Sequence, residues 1–191
     1  TTLMAHSDRP DPDALQLESG APPATAEAVI AALTALGFET HTLEHRPLYT
    51  VDDAKQVDYG LPGAHTKNLF LRNKKKRMFL VVLEQDRQLD LKALRDRLAV
   101  PGGQLAFASA ERMARYLGVV PGSVTPLAAI NDHGGVVRVV IDQQVLAHEW
   151  IWLHPCRNTH STRMRTTDLL TALVAWQHEA TVLDFDADVA P

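Results

Sequence analysis

The chain has 191 residues, 46% of them apolar and 22% charged, enough to bury one well-formed core and ordinary for a globular protein. With 19 Lys and Arg against 23 Asp and Glu, the formal net charge is −4, which excludes bulk attraction of nucleic acid and leaves any polyanion to a local basic patch. A single cysteine, Cys156, excludes an internal disulfide framework and a multi-cysteine zinc site. The longest apolar run, 78–83, falls far short of the roughly 20 residues of a membrane span, and no apolar signal-peptide core opens the sequence. The expectation is a soluble, cytoplasmic protein.

Residues 1–21 mix Thr, Ser, Asp and Pro with scattered leucines and are expected to be a flexible leader, leaving 22–191 as one domain. From Thr25, the positions Ala26, Val29, Ile30, Leu33 and Leu36 recur at helical spacing, with Thr25 as cap and Gly37 as stop. Residues 38–44 alternate like a strand. Thr50 followed by Asp53 resembles a capping box for a short helix reaching Val57, with Asp in place of the usual Glu. Gly60, Pro62 and Gly63 mark a loop, and 69–83 reads as two strands joined by a basic turn at 73–76. Asp90 caps a predicted helix carrying Leu91, Leu94 and Leu98, which Pro101, Gly102 and Gly103 end before a short strand at 105–108. Residues 109–117 read as a further short helix. Beyond the loop 118–126, residues 127–131 and 136–141 read as a second hairpin, 150–153 as a strand, 166–179 as a helix and 181–185 as a closing strand. Hairpins with helices placed between them predict an α/β fold with a mixed, mainly antiparallel sheet. No internal repeat and no sustained heptads are present.

The sequence has no GxxxxGK[ST], no GxGxxG after a strand, no GxSxG and no HExxH, which removes the enzyme classes built on them. Cys156, two residues after His154 and four before His160, allows a thiol–imidazole nucleophile or a lone buried thiol. His148, His154 and His160 have no second cluster of acids or thiols to complete a metal site. Strand alternation puts Lys67 on the same face as the apolar Leu69 and Leu71, with Asn68, Phe70 and Arg72 opposite. Lys67 is then either a strand-end lysine reaching water or a cation at a pocket rim, placed to hold a phosphate, carbonyl or hydroxyl. Arg72, Lys74, Lys75, Lys76 and Arg77 crowd one turn, a solvated tip or a contact for a nucleic-acid backbone. In GVVPGSVTP, 118–126, two glycines and two prolines constrain the backbone, as suits a structural turn or a loop presenting NH and CO groups to a ligand. HPCRNTHST, 154–162, is a polar loop or a pocket wall.

HTKNLFL at 65–71, LGVVPGSVTP at 117–126, AIND at 129–132 and LHPCRN at 153–158, in this order, resemble the YbaK-like aminoacyl-tRNA deacylases, the superfamily that includes the editing domain of bacterial prolyl-tRNA synthetases. With EHRPLYTVDDA at 44–54 and VLAHE at 145–149, the pattern is most similar to the free-standing editing group called PrdX or ProXp-ala, over about residues 25–186. The resemblance implies a single-domain α/β fold whose sheet curls around a small pocket. It further implies a trans-editing hydrolase that deacylates alanine mischarged on proline tRNA. The family's KNLF lysine falls on Lys67, its GxxxP loop on Gly122, Ser123, Val124, Thr125 and Pro126, and its HP..N wall on His154 and Asn158. Where the family usually continues that wall with small residues and threonines, this chain has Thr159, His160, Ser161 and Thr162, then Arg163. The implied partners are mischarged tRNA(Pro) and, as a further candidate, prolyl-tRNA synthetase, with neither membrane nor DNA and with no metal or cofactor. Two other readings stay open: a deacylase for cysteinyl-tRNA(Pro) or another ester, and a non-catalytic module that binds tRNA or a synthetase.

Overall fold

The computed structural model of the chain describes residues 10–187. Local caps set its helices. Thr25 Oγ1 accepts from the Ala28 N–H at 3.1 Å and opens α1 (Ala26–Ala35), which stops at Gly37 with φ +82°. Thr50 and Asp53 cap α2 (Val51–Lys55) reciprocally, and the Asp53 carboxylate also accepts from the Tyr49 N–H. That N–H, then the Arg46 guanidinium and Thr50, hold the Asp53 carboxyl down to about 2, so the shorter acid completes the box. Asp90 caps α3 (Leu91–Leu98), and Ser109 caps α4 (Ala110–Arg112), which widens through Leu117 and ends at Gly118 with φ +63°. α5 (Thr166–Ala175) is the last helix among the described residues.

The strands β1 (His41–Glu44), β2 (Ala64–Arg72), β3 (Met78–Glu84), β4 (Ala106–Phe107), β5 (Val137–Asp142), β6 (Trp150–Leu153), β7 (His160–Arg165) and β8 (Thr181–Leu183) form one sheet. Its order is β1-β7-β6-β2-β3-β5-β8, with β4 paired to β2. The pairs β1–β7, β6–β7, β2–β3 and β2–β4 are antiparallel, while β2–β6, β3–β5 and β5–β8 are parallel. The mixed, mainly antiparallel α/β sheet expected from the sequence is therefore present. β3 lies in its interior, between β2 and β5. Met78, Leu80 and Val82 pack with Val29 and Leu33 of α1 and Leu169 and Leu173 of α5, whereas Phe79, Val81 and Leu83 pack with Leu94 and Leu98 of α3. Burial on both faces explains why 78–83 is an unbroken apolar run rather than an alternating one.

Three segments depart from the sequence reading. Residues Pro126–Asn131 form a tight helical turn instead of a hairpin strand, because Pro126 has no N–H to donate to a ladder and Thr125 Oγ1 accepts from the Leu127 N–H at 3.3 Å. β5 consequently pairs in parallel with strands distant in sequence. The segment 154–162, expected as a polar loop or a pocket wall, enters a strand at His160, the start of β7, which bridges β1 to β6. Residues 15–21, expected within a flexible leader, lie against the domain: Leu17 is buried, the Glu18 N–H donates to the Arg115 carbonyl at 2.7 Å, and Glu18 pairs with Arg115. A Cβ on Gly118 would meet Pro23 Cβ at 2.4 Å and Leu17 Cδ2 at 3.0 Å, so this docking requires the glycine. Within the expected leader Pro12–Ala14 form a short helical turn, and residues 1–9 lie outside the described residues. Among the described residues no helix is long and apolar enough to cross a membrane.

A buried ion pair ties the end of α5 to the turn before β5. His178 Nδ1 donates to the Trp176 carbonyl at 2.7 Å and Nε2 to Asp132 Oδ2 at 2.9 Å, so the ring carries both protons. The Asp132 hydrogen bond, opposed by burial, raises the His178 pKa. A group raised in the folded state stabilises fully below its unfolded pKa of about 6.5 and loses that contribution as pH rises through the folded value. Urea unfolding from pH 6 to pH 9 is expected to show stability falling with pH, with a shallower fall in His178→Gln.

Candidate functional site

β2 pairs with β6 only at Ala64↔Ile151 and His65↔Trp152. Beyond His65 the strands part, and the loop carrying Gly122 and Val124 meets β2 there: Asn68 Nδ2 donates to the Val124 carbonyl at 3.1 Å. The opening is a cavity of about 200 Å³ walled by Leu48 and Tyr49 before α2, by Thr66, Lys67 and Asn68 of β2, by Gly122 and Val124, and by His154 at the end of β6. A smaller chamber of about 40 Å³ adjoins it, sharing Thr66, Asn68 and His154 and adding Tyr59, His65 and Ser161.

Lys67 extends on the Leu69 face, and its ammonium donates to the Arg87 carbonyl in the loop between β3 and α3. Burial lowers its pKa, with Asp86 opposing. The loop is fixed by Arg87 itself, whose guanidinium binds both the fully buried Asp142 and the exposed Asp186. Lys67 is thus a rim cation whose direction is set by a pinned backbone carbonyl.

His154 adds a neutral imidazole to the lining of both chambers, with the His45 ring 6.3 Å from it. His154 Nδ1 donates to the His160 carbonyl at 2.8 Å, and burial lowers its pKa, so Nε2 keeps an accepting lone pair. His45 Nδ1 donates to the Arg46 carbonyl at 2.8 Å, leaving Nε2 to accept from the Ser161 hydroxyl at 2.8 Å; its pKa is likewise lowered by burial.

The other sequence-predicted residues divide between wall and scaffold. Gly122 has φ +93°, so a side chain is disfavoured there by conformation, while a Cβ would make only ordinary contact with Tyr49 Cδ1 at 3.4 Å and the Leu48 carbonyl at 3.6 Å. Val124 lines the cavity, and Ser123, 1% exposed, sits between the two. Thr125 and Pro126 start the turn behind the loop and hold it in place. Asn158 lies behind the wall: its Nδ2 donates to the Leu48 carbonyl at 2.9 Å, while the Leu48 N–H donates to the Asn158 carbonyl at 3.1 Å. Cys156 is buried and its thiol is pushed up to about 12 by that burial, so it is no nucleophile at neutral pH. His148 bonds Glu84, and His160 bonds Thr159, so these rings do not converge with His154.

Asn68 and Thr66 are the site residues that sequence reasoning passed over. Among the described residues, the buried side-chain polar atoms without a partner are Ser123 Oγ, in the loop behind the lining, and Thr66 Oγ1 and Asn68 Oδ1, whose residues line both chambers. Such an atom ordinarily costs about 1–3 kcal/mol, and two of them at one cavity make it the candidate ligand site. The signal available in the sequence was the polar Thr66 and Asn68 on the face that Phe70 buries.

A small chamber with one fixed cation, neutral acceptors and uncommitted hydroxyl and amide groups suits the polar end of a larger ligand. The chain belongs to the aminoacyl-tRNA editing domain family, whose model matches residues 45–172 and so includes every wall residue named above. It is similar to the prolyl-tRNA synthetase associated domain-containing protein 1 of Bos taurus, 38% identical over 157 residues that cover 81% of this chain and 91% of that one. It is also similar to the prolyl-tRNA editing protein ProX of Acetoanaerobium sticklandii, 35% identical over 144 residues, 75% of this chain and 87% of that one. Among solved structures, a protein described as a candidate trans-editing enzyme for prolyl tRNA synthetase shares the fold, with a TM-score of 0.65 at 23% identity, covering 83% of this chain and 94% of the other.

Two outcomes test this geometry. Ellman's reagent is expected to label Cys156 only as fast as the protein unfolds. Asn158→Ala, which strips the Leu48 carbonyl of its side-chain donor, is expected to cost about 1–2 kcal/mol in urea unfolding.

Proposed function

We propose that this protein is a trans-editing hydrolase that removes alanine from mischarged tRNA(Pro). The observation that carries the reading is the pair of unpartnered buried polar atoms, Thr66 Oγ1 and Asn68 Oδ1, on residues lining a cavity rimmed by Lys67. At about 200 Å³ the cavity is below the roughly 300–1,000 Å³ of pockets for drug-sized ligands, which fits an aminoacyl group with the nucleotide outside. The names of the relatives support the same substrate class.

An aminoacyl ester is already activated, so positioning and charge stabilisation supply much of the rate. Lys67 holds the terminal adenosine or the ester at the rim. Gly122, Ser123 and Val124 receive the aminoacyl end, Asn68 and Thr66 offer it hydrogen bonds, and Thr125, Pro126 and Asn158 keep the walls in place. Water adds to the ester carbonyl with help from the substrate's own 2′-hydroxyl. His154 Nε2 accepts a hydrogen bond, and the carbon–oxygen bond to the ribose breaks to release alanine and a free 3′-hydroxyl. Specificity is steric, since a chamber sized for alanine rejects the ring of proline far better than it rejects glycine.

Purified protein is expected to hydrolyse alanyl-tRNA(Pro) and to spare prolyl-tRNA(Pro). Lys67→Ala should slow the reaction by roughly 100-fold or more, the scale of losing a transition-state donor. Parental rates in Lys67→Ala overturn the assignment. Faster hydrolysis of cysteinyl-tRNA(Pro) changes the acyl group, and tRNA binding without hydrolysis of any ester makes the protein a binding module.

A further inference from the structure

The cations of this chain are almost all committed. Among the described residues every Lys and Arg has a side-chain partner except Lys92, Arg112 and the five of the β2–β3 turn, Arg72, Lys74, Lys75, Lys76 and Arg77. In an acidic chain, five free cations on one turn are a concentrated positive site.

The turn beneath them is rigid. Asn73, 2% exposed, accepts the Arg77 N–H on Oδ1 at 3.0 Å and donates to the Pro101 carbonyl at 3.4 Å, while the Lys74 N–H donates to the Gly102 carbonyl at 3.0 Å. Gly102 approaches so closely that a Cβ there would sit 2.3 Å from Asn73 Nδ2. The charges thus stand on a fixed base. Phe107 of β4, opposite Leu71 at the foot of the turn, is 64% exposed and presents a ring to solvent. Free cations beside an exposed aromatic ring match the phosphates and bases of RNA.

We infer that the β2–β3 tip, with Phe107, is a second RNA contact that grips the phosphates of the stem while the acylated end enters the cavity. The inference rests on an acylated tRNA as substrate. β2 itself sets the span: at ~3.3 Å per residue, Arg72 lies ~13 Å from Asn68 and the lysines farther out, beyond the reach of the terminal nucleotide alone.

The test uses Lys74→Gln, Lys75→Gln and Lys76→Gln combined, and Phe107→Ala separately. Binding of unacylated tRNA(Pro) transcript is measured by fluorescence anisotropy from 50 to 200 mM salt, and hydrolysis of alanyl-adenosine is measured in parallel. The triple variant is expected to bind tRNA roughly 10- to 100-fold more weakly and to lose about 2 to 3 from the slope of log affinity against log salt, with hydrolysis of alanyl-adenosine unchanged. Phe107→Ala should weaken binding with the slope intact. Unchanged affinity and slope in the triple variant overturn the inference, as does loss of prolyl-tRNA synthetase binding with tRNA binding unchanged. Parental protein that leaves both alanyl-adenosine and alanyl-tRNA(Pro) intact overturns the proposed reaction instead, and the tRNA titration still reads the tip.

Discussion

The site depends on a change of partner along one strand. β2 pairs with β6 at Ala64 and His65 and then leaves it, pairing with β3 from Thr66 to Arg72. A strand that separates from a neighbour exposes polar groups that must find partners or remain unsatisfied. Here the loop 118–125 answers part of that demand through the Val124 carbonyl, and Thr66 and Asn68 keep the rest. The cavity follows from the sheet's architecture rather than from any surface invagination.

Around that opening the protein separates two electrostatic tasks. The cavity holds a single ammonium, aimed by the Arg87 carbonyl, together with the His154 imidazole, whose burial keeps it uncharged. Charge elsewhere is largely tied into pairs: Arg46 with Asp53, Lys55 with Asp86, Arg87 with Asp142 and Asp186. The exposed pairs among these add little stability, but they silence positive charge that would otherwise attract polyanions to unproductive faces. The hairpin tip stands out because its surroundings are quiet.

What could be read from the sequence was local. Thr25, Thr50, Asp53, Asp90 and Ser109 announce helix starts because a cap acts within a few residues, and the β2–β3 hairpin shows itself through one basic turn between apolar runs. Parallel pairing left no such trace, since nothing near 137–142 specifies β3 and β8 as neighbours. The apolar run 127–130, buried in the core, has no period to separate strand from helical turn. Likewise, alternation correctly sets Lys67 opposite Asn68, but it cannot say that the face beside Asn68 opens because β6 has departed. Lys67 and the GSVTP loop were legible through resemblance; Thr66 and Asn68 needed coordinates.

The distances in sequence across this cavity also govern when it can exist. Asn68 meets Val124 across 56 residues, and Asn158 clasps Leu48 across 110. Contacts so remote in the chain form late, after loop closure has been met by the rest of the sheet. A polypeptide growing on the ribosome completes β2 and β3 long before β6 and the 154–158 segment emerge. Until then one margin of β2 is bare, and bare strand margins recruit other chains. A truncated translation product would therefore carry a sticky edge in place of a half-working pocket, and completion of the last third of the chain both seals that edge and creates the binding chamber.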